Sequence, residues 1–191
     1  MGTSLISTAV SASEPEVSAD IIDDALVAQV REWVETPVVA MTLEAQNARY
    51  ADLDQSAIDV LDQQWRAETE KDDQPLIAAT LSSPLSSYLL QIQAGSLGLY
   101  SEIFVMDANG LSAGQSAITS DFWQGDEDKF LKTYPEGADA VFIDAAEYHD
   151  GTGTWRAQIN MTVVDDAGQP TGAVTVEVNL TELARRQALG I

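Results

Sequence analysis

The sequence predicts an α+β domain: a long N-terminal helix and a helical half, packed on an antiparallel sheet of about five strands. Three observations carry this. Up to Ile92, apolar residues recur at three- and four-residue steps, the spacing of one helix face. Beyond Tyr100 the period falls to two, the spacing of a strand with one buried face. The strand-like runs follow one another through turn residues and do not alternate with helices, which favours antiparallel pairing over a doubly wound or barrel fold.

In the helical half, Ile22, Leu26, Val30, Trp33 and Val34 form one apolar stripe, on a helix that Ser18 or Asp20 can cap. Thr36-Pro37 reads as a cap followed by proline in the first turn of a new or kinked helix. Val38, Met41, Leu43 and Ala45 continue the stripe to Tyr50. Asp52 to Gln55 interrupts it, and Ser56 to Glu70 resumes it through Ile58, Leu61 and Trp65. Two short helices, Pro75 to Leu81 and Pro84 to Ile92, meet at a tight joint, and Gly95 and Gly98 end this half.

In the sheet half, Glu102 to Met106 is a short apolar strand that runs into Asp107-Ala108-Asn109-Gly110, a hairpin turn whose Asn and Gly tolerate positive φ. Leu111 to Gln115 returns. Asp126 to Thr133 reads as a short helix stopped by Pro135-Glu136-Gly137, and Ala140 to Asp144 as the next strand. His149 to Gly153 is a polar turn. Trp155, Ala157, Ile159, Met161 and Val163 then alternate with Arg156, Gln158, Asn160 and Thr162. Asp165 to Gly168 turns the chain into a last strand, Gly172 to Leu180, and Thr181 to Leu189 is a closing helix.

Composition narrows function. With 9 basic against 31 acidic residues the formal net charge is -22, which repels phosphate backbones and anionic membrane surfaces and disfavours a nucleic-acid partner. No cysteine is present, so disulfides, thiolate metal sites and cysteine nucleophiles are excluded. The single histidine, His149, leaves little room for histidine-based metal or acid–base chemistry. No nucleophile elbow, P-loop or zinc-protease motif occurs, so no enzymatic activity and no cofactor are expected. No apolar run is long enough to span a bilayer, and any membrane contact is expected only through segments outside this chain. Residues 1–17 read as a weakly ordered leader or cloning remnant, and 18–191 as a single domain. Within it, 18–98 is the helical half, 99–180 the sheet half and 181–191 the C-terminal helix.

Asp121-Phe122-Trp123-Gln124-Gly125-Asp126 is the candidate ligand loop. Its rings offer apolar walls, and Asp121 and Gln124 offer oriented polar contacts, the mixture a small polar ligand requires. The opposing reading makes Phe122 and Trp123 core plugs and Asp121 a helix cap. Arg156, inside a strand beside Gln158 and Asn160, either clamps a ligand carboxylate or pairs with surface acids. Asp126-Glu127-Asp128 either holds a hard cation or is the acidic first turn of a helix.

The chain resembles the Cache sensor family, extracytoplasmic relatives of PAS domains, over Tyr100 to Ala188. The resemblance is carried by Tyr100 to Gly110, similar to the family's first sheet hairpin, and by Thr119 to Glu127, similar to its aromatic-acidic loop over the pocket. The final strand pair around Asp165 to Pro170 and Gly172 to Val176 is also similar. The resemblance implies a single-lobed form with a curved sheet, a sensing domain of a chemoreceptor, histidine kinase or cyclase type of receptor, and a small carboxylate or amino-acid-like ligand. A free-standing periplasmic binding protein is the alternative. It also implies that Asp144 holds a ligand amine, against a reading as a turn cap. Tyr100 and Gln115, flanking the hairpin, would reach the same pocket. A homodimer through the N-terminal helix is a further expectation.

Overall fold

The computed structural model describes residues 16–191. The expected leader lies outside the described residues up to position 15. Val17, inside that expected leader, packs against the main core.

The helical half begins with a 3-10 turn, Ala19–Ile21, and continues through α1 (Asp24–Val34), α2 (Pro37–Arg49), α3 (Gln55–Glu68), α4 (Pro75–Leu81) and α5 (Pro84–Gly95). The expected long first helix is corrected to a turn and two separate helices. Asp23, not Ser18 or Asp20, starts α1, because its carboxylate accepts from the Leu26 amide at 2.9 Å. Thr36 is extended, its hydroxyl donates back to the Trp33 carbonyl at 3.0 Å, and Pro37 opens α2. The stripe Leu26, Val30 and Val34 is buried on the domain's own sheet. None of the large exposed hydrophobic side chains lies on α1. Among the described residues no helix is long and apolar enough to cross a membrane.

The sheet half holds β1 (Tyr100–Asp107), β2 (Ser112–Gln115), the short helix α6 (Asp128–Leu131) and a 3-10 turn, Tyr134–Glu136. Then come β3 (Val141–Ile143), β4 (Glu147–His149), β5 (Thr154–Val164), β6 (Pro170–Asn179) and α7 (Leu180–Leu189). The strands form one antiparallel sheet in the order β2-β1-β6-β5-β3, with β4 also paired to β5. β4 corrects the expected polar turn: His149 ends a strand opposite Thr154, and the turn is confined to the residues between them.

One sheet face carries the main core. Ile103, Val105, Ile159, Met161, Val174, Val176 and Val178 are buried there beneath α1, α2 and α5. Each such side chain contributes about 1.5–3 kcal/mol by leaving water. A second cluster, Ile58, Trp65, Ile77, Leu111 and Phe122, fixes α3 and α4 against the segment after β2. There the Trp65 indole donates to the Thr119 carbonyl at 2.9 Å.

The two ends of the described chain are tied together. Asn179 is both the last residue of β6 and the cap of α7, accepting from the Glu182 amide at 3.0 Å. On α7, Arg186 donates to the Ser96 carbonyl at 2.6 Å and Gln187 to the Ile21 carbonyl at 3.0 Å.

Candidate functional site

The other sheet face is mixed, polar side chains beside an apolar cluster of Phe104, Met106, Ala173 and Phe130, and its strand registers arrange it in rows. One row runs Phe142, Asn160, Thr175, Phe104, Gln115 across five strands. The adjacent row runs Gln158, Glu177, Glu102, with Asp144 attached at its end. There the Asp144 amide donates to the Gln158 carbonyl at 3.2 Å, and the Asp144 carboxylate accepts from the Gln158 amide. α6 and the turn after it lie over the first row. Lys132 sits 4.3 Å from the Phe142 ring centre, Lys129 sits 5.4 Å from that of Phe104, and Phe130 and Tyr134 stack beside them. The second row is only partly covered, and a hollow of about 340 Å³ opens at its Asp144 end. It is lined by Lys129, Phe142, Asp144, Glu147 and Gln158, with Glu127 and Asp128 at its rim.

Charge converges on this face. Arg156 joins Glu177 at 2.6 Å and donates to the hydroxyls of Thr154 at 3.2 Å and Thr152 at 2.9 Å. Lys129 donates to the Gln124 side-chain carbonyl at 3.1 Å and pairs with Glu127 at 3.0 Å, which leaves one of its three N–H groups free. Asp121 pairs with Arg66 at 3.2 Å and accepts from the Gln124 amide group. Glu102 and Asp144 have no ion-pair partner among the described residues. Burial, and then the charge of Glu177, pushes the Glu102 carboxyl up to about 7, against the pull of Lys129 and Arg156. Burial also raises Asp144, partly offset by the hydrogen bond from the Gln158 amide.

Of the expected residues only Asp144 lines the hollow; Gln115, Asp121, Gln124 and Arg156 lie apart from it, on or beside the same face. Gln115 is buried there; its carbonyl accepts from Thr119 at 3.2 Å, and its side-chain NH2 has no partner. Three expected residues lie elsewhere. Tyr100 points into the main core, edge-on to Trp33 at 5.0 Å, with its hydroxyl on Gln29 at 2.9 Å. Phe122 stacks on Trp65 at 5.2 Å in the second cluster. Trp123 bridges to Leu111, and its indole donates to the Asn109 carbonyl at 2.8 Å. These rings are core and loop braces because Trp65 and Leu111 offer them apolar partners. Asp121 is no helix cap either, and Glu127 holds that position before α6. The acids beside it are matched by lysines, Glu127 with Lys129 and Asp128 with Lys132 at 2.6 Å.

Sequence reasoning missed Glu102, Lys129 and Glu177 as members of the site. The signal for Glu102 was present: a carboxylate at the start of an otherwise apolar strand. A larger cleft of about 660 Å³ lies on the helical side, between α2 and α4. It lacks the convergent charges of the polar face, which is why the smaller hollow is the candidate here.

No protein-family model matches the chain, and no curated protein does. Solved structures are similar to it. One is the ligand-binding domain of an amino acid chemoreceptor of Pseudomonas aeruginosa PAO1 in complex with GABA. It has 17% identity, coverage of 83% of this chain and 58% of that one, and a TM-score of 0.38. Another is the ligand-binding domain of a Campylobacter jejuni chemoreceptor in complex with L-valine, with 11% identity, coverage of 84% and 64%, and a TM-score of 0.40. A third is the extracellular domain of a presumed histidine kinase, with 10% identity, coverage of 85% and 52%, and a TM-score of 0.47. The chain spans between 52% and 64% of the length of these three. The first two are ligand-binding domains of chemoreceptors, and the third is an extracellular domain.

Proposed function

We propose that residues 18–191 act as one extracytoplasmic sensing domain of a bacterial signal-transduction receptor, and that the hollow beside Asp144 holds a small amino-acid-like ligand by its ammonium group. The sensing role rests on the resemblance of Tyr100 to Ala188 to the Cache family. The ligand class rests on one observation: Asp144 lines the hollow, half-buried, with no ion-pair partner among the described residues.

A ligand ammonium in the hollow supplies the counter-charge that Asp144 lacks and favours its ionised form. The free N–H of Lys129, which lines the hollow, is at hand for a carboxylate on the same ligand. Binding draws α6 and the outer row together, so the liganded arrangement is favoured by the difference in affinity between the two.

The test is calorimetric titration with a panel of L-amino acids, their decarboxylated amines and their deaminated acids. Amino acids or amines that bind one per chain, while deaminated acids do not, support the reading. Binding of the deaminated acids alone overturns the ligand class. Undiminished binding in Asp144→Asn overturns the site.

A further inference from the structure

The apolar stripe that the sequence places on α2 is divided between two surfaces. Val39 and Leu43 are buried in the main core. Val38, Met41 and Ala45 turn instead toward the cleft between α2 and α4, with Thr42, Gln46 and Arg49 on the same face. These positions recur at three and four residues, one complete side of the helix. Leu76, Ala79 and Thr80 of α4 face them, and Ala113 and Phe122 form the floor. The two helices stand apart, and the volume between them, about 660 Å³, falls within the range that encloses a small organic ligand. Met41 is 69% exposed at its edge, an unusual position for a side chain on an apolar helix face.

Most polar side chains in this lining are already engaged. Thr42 donates to the Val38 carbonyl at 2.7 Å and Thr80 to the Leu76 carbonyl at 3.0 Å, so both present their methyl groups. Gln46 donates to Asp107 at 2.9 Å. Ser83 accepts from the Ser86 amide at 3.0 Å. Two groups are exceptions, the buried Ser112 hydroxyl, which has no partner, and Arg49. Arg49 carries the charge. It lies 5.2 Å from the Tyr50 ring centre at the end of the cleft and has no carboxylate partner among the described residues. In a chain of 31 acidic and 9 basic residues, an arginine left unpaired beside an apolar cavity is a selective charge.

From the divided stripe, the engaged lining and the unpaired guanidinium, we infer a second ligand site between α2 and α4, for a medium-chain monocarboxylate. The apolar body lies between Met41, Ala45, Leu76 and Ala79, and the carboxylate meets Arg49 in bidentate fashion. This site is on the opposite side of the sheet from the polar hollow and does not depend on the reading of that hollow.

The probe is octanoate, kept far below its micelle concentration, with 1-octanol as its uncharged counterpart. Titration calorimetry on the whole chain is expected to show one octanoate per chain. Arg49→Gln weakens octanoate about tenfold and leaves 1-octanol unchanged. Ala45→Phe fills the cleft and removes both, with the folded state checked by circular dichroism; Ala79→Phe, from the facing helix, gives the same result. Asp144→Asn leaves octanoate binding unchanged, which separates this site from the polar hollow. Equal octanoate affinity in Arg49→Gln, octanoate binding that survives both filling variants, or the absence of saturable binding each overturns the proposal.

Discussion

Glu102 and Glu177 stand opposite each other across the β1–β6 pairing, and only Glu177 has a cation of its own, the Arg156 guanidinium at 2.6 Å. The arrangement leaves Glu102 as the carboxylate that gives way. In the fold its pKa is about 7, against an ordinary value of 4.5. Because the folded value is the higher one, the group's contribution is fully present below about pH 4.5 and is lost as pH rises through 7. The loss is at most about 3 kcal/mol. Urea midpoints measured from pH 4.5 to 8 are expected to show Glu102→Gln gaining on the wild type as pH rises. Parallel curves would show that Glu102 is not the responsible group.

Titration also governs ligand binding. An ammonium held in the hollow selects ionised Asp144, whose carboxyl burial raises, so amino-acid affinity is expected to fall in acid and to lose that dependence in Asp144→Asn; Glu102→Gln, outside the lining, is expected to leave affinity unchanged. Asp144→Asn retains an oxygen for the Gln158 amide but loses the charge, and is expected to weaken amino acids about tenfold. Trp123→Ala is expected to lower the melting temperature and leave affinity unchanged, since its indole braces the Asn109 carbonyl away from the hollow. Calorimetry on the three variants separates these outcomes, and a Trp123→Ala chain that folds but no longer binds would return the site to the aromatic loop.

Gly110 is held by two constraints at once. Its φ is +79°, and a Cβ there would lie 2.5 Å from the Gly125 Cα. Gly168 shares the positive φ, at +74°, but has open space around it. Urea unfolding is expected to show Gly110→Ala costing about 2–4 kcal/mol and Gly168→Ala about 1 kcal/mol. Equal losses would mean that the close approach of the hairpin turn to Gly125 contributes nothing.

Glu68 on α3 serves as the missing cap of α4. Its carboxylate accepts from the Leu76 amide at 2.8 Å and the Ile77 amide at 3.0 Å, where Gln74 makes no side-chain cap of its own. Burial raises its pKa, but the hydrogen bonds from Gln64, Ile77 and Leu76 outweigh this and hold it below the ordinary 4.5. The stabilisation is therefore present above about pH 4.5 and lost as pH falls below it. Glu68→Ala is expected to cost about 1–3 kcal/mol at pH 7, read from denaturant unfolding, with the gap narrowing in acid. A gap that does not change with pH would remove the charge from this account.

Legibility followed the physics of each segment. The alternation from Trp155 to Val163 is strict because one face of β5 meets the core and the other does not, and each residue lies on the side its parity predicts. Pro75 to Leu81 matches α4 at both ends, since proline fixes the start and the following Ser82-Ser83-Pro84 fixes the stop. The site was harder. Glu102 reads as part of an apolar run until its register with Glu177 is known. The loop Asp121 to Asp126 does not reveal which way its rings turn; Trp65, distant in sequence, decides that for Phe122. β4 left no apolar trace because Glu147, Tyr148 and His149 are all exposed. On α2 the stripe was visible, but its division between core and cleft depends on how far α4 stands away.

β6 enters α7 without a joint. Glu177 lies in the polar row, and two residues later Asn179 is already the helix cap. No flexible segment separates the two, so the strand and helix form one stiff rod. At its far end, Gln187 holds the Ile21 carbonyl and Arg186 holds the Ser96 carbonyl. A shift of β6 at Glu177 therefore bears directly on α7 and, through these two contacts, on Ile21 and Ser96.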